Sequence, residues 1–399
     1  MAAPPNCSQK SLNKLTRRGL FAGTALLLPA LAQAQVALGQ RLVQAILAQM
    51  AGLGQGPALL PSYLIRSSRH QDAFALTQAN TAYVYDNALA GLVLFNAGYP
   101  QEAMRIAQAL EIAQAHDRYF HDGRLRNAYA AGPMSTVPAK LPGFWNTKTK
   151  QWDEDPYQVG SDTGPIAWAM LLWARLGMVA PASKAGAFLN AALRAPRGYY
   201  GGFYGYDQSQ QKLTWQSTEQ NLDLYVAFQK LGQGPESDHA KAFVEAAYDP
   251  HEKLFKTGLT ADGHPGAMLA ADAGIWPYLA GLGSMESARR AIARLRHGEG
   301  IGFSDASHGI WLEGTAFAAL ALKSMNNVLA ASFLDTVAAN VSRQGYVYAT
   351  VSPVLGTGLK VGPSLQKNMP AQDFKYYRYP ALSATSWAAM AALQINPLG

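Results

Sequence analysis

The chain has 399 residues, of which 49% are hydrophobic, 10% aromatic and 15% charged, which is enough apolar side chain to bury a large core. The net charge of +7 arises from 33 Lys and Arg against 26 Asp and Glu, but four basic residues lie in the first 18 positions, so the remainder carries only 29 against 26, or +3. That weak balance, with no basic run interleaved with aromatics, excludes nucleic acid as an expected partner, and the single cysteine, Cys7, excludes structural disulfides and thiolate chemistry in the rest of the chain.

Lys10, Lys14, Arg17 and Arg18 stand before an apolar run from Leu20 to Ala32, which ends in Ala32-Gln33-Ala34. This is a basic segment, a hydrophobic segment and a small-x-small cleavage site. The pair Arg17-Arg18 and the dilution of the run by Gly23, Thr24 and Pro29 match a twin-arginine export signal over residues 1–34. A periplasmic or secreted location is expected, with no stable membrane insertion once the signal is removed. Residues 35–399 contain no Pro, Ser or Gly linker and are expected to form one domain.

From there the pattern repeats. An apolar helix ends at Gly or a turn, and a more amphipathic helix follows. The pairs fall at 81–96 with 101–116, 162–176 with 182–194, 218–231 with 237–247, 273–282 with 285–295, and 313–325 with 329–343. A sixth apolar helix, 384–393, lacks a following partner, and the amphipathic helix 38–50 at the other end lacks a preceding one. Six apolar and six amphipathic helices, completed by the two ends of the chain, predict an all-α fold: an (α/α)6 toroid with the apolar helices inside. The irregular spacing argues against an open α-solenoid. Two long segments, 117–161 and 344–382, are rich in aromatics, Gly and Pro and read as functional loops.

In such a ring the inner helices start at one mouth, and acidic residues gather there. Asp86, Asp162, Glu219, Asp272 and Glu313 stand at or near the first five starts, whereas the sixth has Ser383 and Thr385. Asp162 and Asp272 fit helix capping as well as chemistry. Glu219 does not need to cap, because Ser217 or Thr218 can, and Asp223 four residues on shares its face. Tyr83, Tyr85, Trp145, Trp215, Trp311 and Tyr376 are expected at the same mouth, with Tyr157 and other loop aromatics. Sugars offer C–H faces to aromatic rings and hydroxyls to carboxylates and amides, so a mouth lined by both predicts a carbohydrate cleft. Trp168, Trp173 and Trp387, inside the inner helices, read as core. The eight histidines lack metal-ligand spacing and no phosphate loop is found, so neither metal nor cofactor is expected.

The strings Tyr85-Asp86-Asn87-Ala88, Ser217-Thr218-Glu219-Gln220-Asn221-Leu222-Asp223 and Trp311-Leu312-Glu313-Gly314-Thr315 resemble motifs of the six-hairpin glycosidase superfamily, the (α/α)6 glycoside hydrolases. The Ser-Glu-Gly-Gln-Gly-Tyr string of the bacterial cellulases with this fold is absent. The resemblance implies glycosidic hydrolysis of a poly- or oligosaccharide by two carboxylates, with inversion and about 6.5–9.5 Å between them. Glu219 is then expected as general acid and Asp86 as base, with Glu313 the rival for either role. Asp162, Asp223, Asn221 and the six aromatics named above would bind substrate. Two alternatives stay open. A polysaccharide lyase could draw on His116, His121, Arg124, Arg126, Asn127 and Tyr129; a glycan-binding protein would need no catalysis.

Overall fold

A computed structural model describes residues 18–65, 72–135, 137–362 and 372–399. Thirteen α-helices occur among them: α1 (Arg18–Ala51), α2 (Ala73–Gln78), α3 (Val84–Asn96), α4 (Pro100–Ala115), α5 (Thr163–Arg175), α6 (Val179–Phe188), α7 (Thr218–Lys230), α8 (Gly234–Ala246), α9 (Ala271–Leu279), α10 (Met285–Leu295), α11 (Leu312–Ser324), α12 (Leu329–Ala339) and α13 (Leu382–Leu393). The odd-numbered helices from α3 to α13 pack side by side in sequence, and α13 packs on α3, which closes an inner ring. Each carries its own outer partner, α4, α6, α8, α10 and α12 in turn, while α1 covers α13. The fold is the all-α, six-hairpin toroid.

Burial explains the division. In α11 every residue from Leu312 to Leu322 is buried, as an element enclosed on all sides requires. Outer α10 instead buries Ala288, Ala291, Ile292 and Leu295, one stripe at helical spacing. The closing seam is made the same way, since Leu38, Leu42, Val43, Ile46 and Met50 of α1 are all buried. At roughly 1.5–3 kcal/mol for each large apolar side chain removed from water, this stripe outweighs any single cap or ion pair.

A second regularity surrounds the mouth. The extended chain entering each inner helix pairs with the loop that follows its own outer helix. Thr81–Tyr83 pairs with Ala128–Ala130, Ser161–Asp162 with Gly202–Phe203, and Gln216–Ser217 with Gly258–Leu259. Single bridges repeat this at Ala270 with Ser304, Trp311 with Thr350 and Ala381 with Tyr63. Six short β contacts thus fix the six helix starts. The second long loop forms a hairpin arm, Val354–Val361 with Gln372–Tyr377. Gly362, at positive φ, lies so close to the Tyr204 ring that a Cβ would collide with it, so the arm reaches across the rim to the strand beside α5.

Several expected boundaries move. Residues 81–83 are strand and the first inner helix begins at Val84; the fourth begins at Ala271, placing Asp272 inside its first turn, and accommodates Pro277. α6 starts earlier than expected and gives way to a π-helical turn at Leu189–Leu193. Short α2 was not expected. Residues 1–17, including Arg17 of the export signal, lie outside the described residues; from Arg18 the chain is helical through the expected cleavage site after Ala34. No helix among the described residues is long and apolar enough to cross a membrane.

Candidate active site

The inner helices start in register, so residues at the same helical position form layers. The second residues are Tyr85, Gly164, Glu219, Asp272, Glu313 and Ser383; the sixth residues, one turn deeper, are Leu89, Trp168, Asp223, Trp276, Phe317 and Trp387. The lower layer closes the ring. Trp168 packs edge-on to Trp276 at 5.6 Å between ring centroids and to Trp387 at 6.0 Å, and Phe317 meets both Trp276 and Trp387 at 5.5 Å. Trp168 and Trp387 are core, as expected, and their rings close the inner ring below the helix starts.

In and above that floor Asp86, Asp162, Asp223, Asp272 and Glu313 are all buried, and Glu219 is half-buried. On one wall Tyr85 donates its hydroxyl hydrogen to Glu313 Oε1 at 2.7 Å and accepts the indole N–H of Trp387 at 2.9 Å. Burial pushes Glu313 up to about 7, against the hydrogen bonds from Tyr85 and Ser383, which favour its anion. Asp86 is held well above the usual carboxylate range, by burial first and by the Glu313 charge second. The neighbouring wall is α7 and α9. There burial and the neighbouring Asp272 and Asp223 hold Glu219 well above its ordinary value, and Asp223 is raised by burial and by Asp272. Asp272 is pushed up to about 6 and Asp162 to about 7, burial being the main cause in both. The neighbouring charges that raise these groups are themselves acidic, which favours their protonated forms.

Capping sorts the carboxylates. Ser217 caps α7 by accepting the N–H of Gln220 at 3.3 Å, which leaves Glu219 free. Asp162 occupies the cap position of α5 without making a side-chain cap bond, and its Oδ1 is buried unpaired. Asp272 spends one oxygen on the N–H of Ala273 at 2.6 Å.

The aromatics divide likewise. Tyr83 is half-buried 6.2 Å from Tyr157, its hydroxyl near the Gln158 amide at 3.5 Å. Tyr157, Tyr376 and Tyr63 all have hydroxyls raised well above 10, burial being the first cause and the site carboxylates among the others. Tyr63 carries no pattern in the sequence, because it belongs to the loop after α1 and is brought in only by its bridge to Ala381. Trp215 is half-buried at the entrance to α7, against Gly201.

Three of the expected substrate-binding residues lie in other surroundings. Trp311 is buried between Phe303, Phe317 and Tyr376, at 4.9, 5.6 and 5.4 Å, so its faces are already occupied and offer no stacking platform. Asn221 serves the frame: its amide accepts from Tyr199 N at 2.7 Å and donates to the carbonyls of Tyr199 and Ser217. Trp145 is 56% exposed on an outlying hairpin, opposite Trp152, outside the buried cluster. The residues considered for a lyase are also engaged. Arg126 is buried in a pair with Asp117 at 2.5 Å, Tyr129 accepts the Arg126 backbone N–H, and Arg124 pairs with Asp122 across the Phe120 ring. Asn127 holds the site together, accepting from Asp162 N and donating to Tyr157 O. His116 ends α4, and His121 is exposed.

The chain has the fold of solved glycosidases. One such structure, described simply as a glycosidase, superposes with a TM-score of 0.57 at 13% identity, covering 90% of this chain and 98% of that one. A sugar epimerase from a ruminal bacterium gives 0.55 at 12%, with the same coverage. A GH63 mannosylglycerate hydrolase from Thermus thermophilus, solved in complex with glucose, gives 0.51 at 12%, covering 88% and 99%. No protein-family model and no curated protein matches the sequence. At these identities the likeness establishes the fold.

Proposed function

We propose that this protein is an exported glycoside hydrolase whose reaction takes place at the mouth of the toroid. The observation that carries the reading is the set of buried carboxyls on neighbouring inner helices, each raised above its ordinary value in an aromatic setting. Hydrolysis at a glycosidic bond needs one carboxyl that keeps its proton and one that gives it up. Glu219, surrounded by Asp272, Asp223 and burial, suits the acid that protonates the leaving oxygen. Glu313 suits the base, because the hydrogen bonds from Tyr85 and Ser383 favour its anion, while Asp86 beside it keeps a proton. Glu313 would then take a proton from the water that attacks the anomeric carbon, with inversion. Glycosidases and a glucose complex among the fold neighbours add support. The basic, apolar and small-x-small segments of residues 1–34 support export.

Release of reducing ends from a panel of bacterial and plant glycans tests the reading. Glu219→Gln and Glu313→Gln should each lower kcat by about 10²–10⁴ with an unchanged circular dichroism spectrum. An aryl glycoside with an acidic leaving group should rescue Glu219→Gln and leave Glu313→Gln inactive. Near wild-type turnover by either variant on the native bond would remove that residue from the mechanism. Glycan binding without new reducing ends would favour a binding protein, and ultraviolet-absorbing unsaturated products a lyase. For export, Arg17→Lys with Arg18→Lys should hold the protein in the cytoplasm; secretion unaffected by the double change would contradict the twin-arginine route.

A further inference from the structure

The floor layer contains one anomaly. Leu89, Trp168, Trp276, Phe317 and Trp387 are apolar or aromatic, as a layer that closes a ring should be, and the sixth member is Asp223. Asp223 is 2% exposed and Trp168 1%. Both oxygens of Asp223, the indole nitrogen of Trp168 and Oδ1 of Asp162 are buried without a hydrogen-bond partner. Trp168 is near enough to ease the Asp223 charge, yet no bond of hydrogen-bonding geometry joins them. The residue one layer above on α5 is Gly164, where a Cβ would stand 3.5 Å from Asp223 Oδ2 and 3.0 Å from Cγ of Gln220, whose own Oε1 is also buried without a partner. Buried polar atoms are normally satisfied, and a cluster of unsatisfied ones at the foot of a mouth calls for a ligand that supplies the partners.

The chemistry of that ligand follows from the set. Carboxylate oxygens need donors and an indole N–H needs an acceptor. A hydroxyl group is both. An ammonium ion would leave the indole unmet, and an anion would face six acidic groups. Because aromatic rings close the floor, the unit that reaches Asp223 cannot continue beyond it. We propose that Asp223 and the Trp168 indole N–H bind adjacent hydroxyls of an uncharged sugar at the end of the substrate chain, so that the enzyme takes neutral chain ends. This rests on the glycoside hydrolase reading for its substrate, though not for its binding chemistry.

Titration calorimetry with D-glucose, D-galactose, D-mannose and D-glucuronate tests it. At least one neutral hexose should bind saturably, and glucuronate at least tenfold more weakly. Asp223→Asn should weaken that hexose roughly tenfold, since the amide offers one acceptor oxygen where the carboxyl offers two. Trp168→Phe, which keeps an aromatic ring but removes the N–H donor, should weaken it severalfold. The unliganded Asp223→Asn protein should melt at or above the wild-type temperature, because it loses a buried unpaired carboxylate; that separates a lost ligand contact from a damaged fold. Glucuronate bound as tightly as the hexoses, no saturable hexose binding, or wild-type affinity in Asp223→Asn would overturn the proposal. If the binding pattern holds but no glycan is cleaved, the hydrolase reading fails and this one stands. If Glu219→Gln is inactive while Asp223→Asn binds and cleaves normally, the reverse is true.

Discussion

Tyr85 stands between two fixed points, accepting from Trp387 on the floor and donating to Glu313 on the wall. Its bond stabilises the Glu313 anion, so removing it must raise a pKa that already lies at about 7. Tyr85→Phe keeps the ring against Trp168, at 5.4 Å, and deletes only the donor. The acidic limb of the kcat/KM profile should move to higher pH by about one unit, given the strength of a hydrogen bond to a charged group. A profile that does not move would show that Glu313 is not the base. At this scale the sequence was informative where composition and spacing coincide: Ser217 was available to cap, and Glu219 was therefore free. It was uninformative where one residue type serves two ends. Trp311 and Trp168 look alike as letters, but one is sealed by its neighbours and the other faces an unpaired carboxylate.

The fourth residue of four inner helices makes a clamp that explains why Asn221 looked like a site residue. Asn87 accepts from Leu60 N and donates to the carbonyls of Leu60 and Tyr83, and Asn221 does the same with Tyr199 and Ser217. Thr315 and Thr385 make shorter versions, each donating to the carbonyl four residues back and accepting from Ile301 N or Val347 N. The strings that resemble glycosidase motifs thus interleave two jobs: positions two and six face the mouth, and position four ties the helix to a rim strand. Single-sequence reading separates them only once the register is known. Asn221→Ala should leave the buried Tyr199 N–H without its partner and cost about 1–3 kcal/mol in chemical denaturation. Asn221→Thr, which can copy the Thr315 clamp, should recover part of that loss. The six β contacts of the rim were not legible, because runs of one to three residues carry no alternation to read.

Across the whole molecule the helix pairing was legible, since inner helices are apolar all round and outer helices in a stripe, and that contrast survives boundary errors of a few residues. The same ring brings buried carboxylates from four helices together, and this gives the protein an unusual dependence of stability on pH. Asp162 and Glu313 hold their protons up to about 7 and Asp272 up to about 6 in the folded chain, whereas unfolded carboxylates ionise near pH 4. Between those values the folded state binds more protons than the unfolded one, so stability must fall as pH rises from about 4.5 to 7. Asp117, lowered by Arg126, acts in the opposite sense, but only at more acid pH. Thermal melting should therefore give a higher midpoint at pH 5 than at pH 7.5. Each such group contributes a slope of about 1.4 kcal/mol per pH unit while it is ionised only in the unfolded chain. Asp162→Asn should remove one of those slopes and flatten the profile, and a bound sugar that hydrogen-bonds the unpaired oxygens should lift the midpoint most at neutral pH. A midpoint that rises steadily from pH 5 to 7.5 would mean that these carboxylates are not held protonated, and the assignment of acid and base would fall with them.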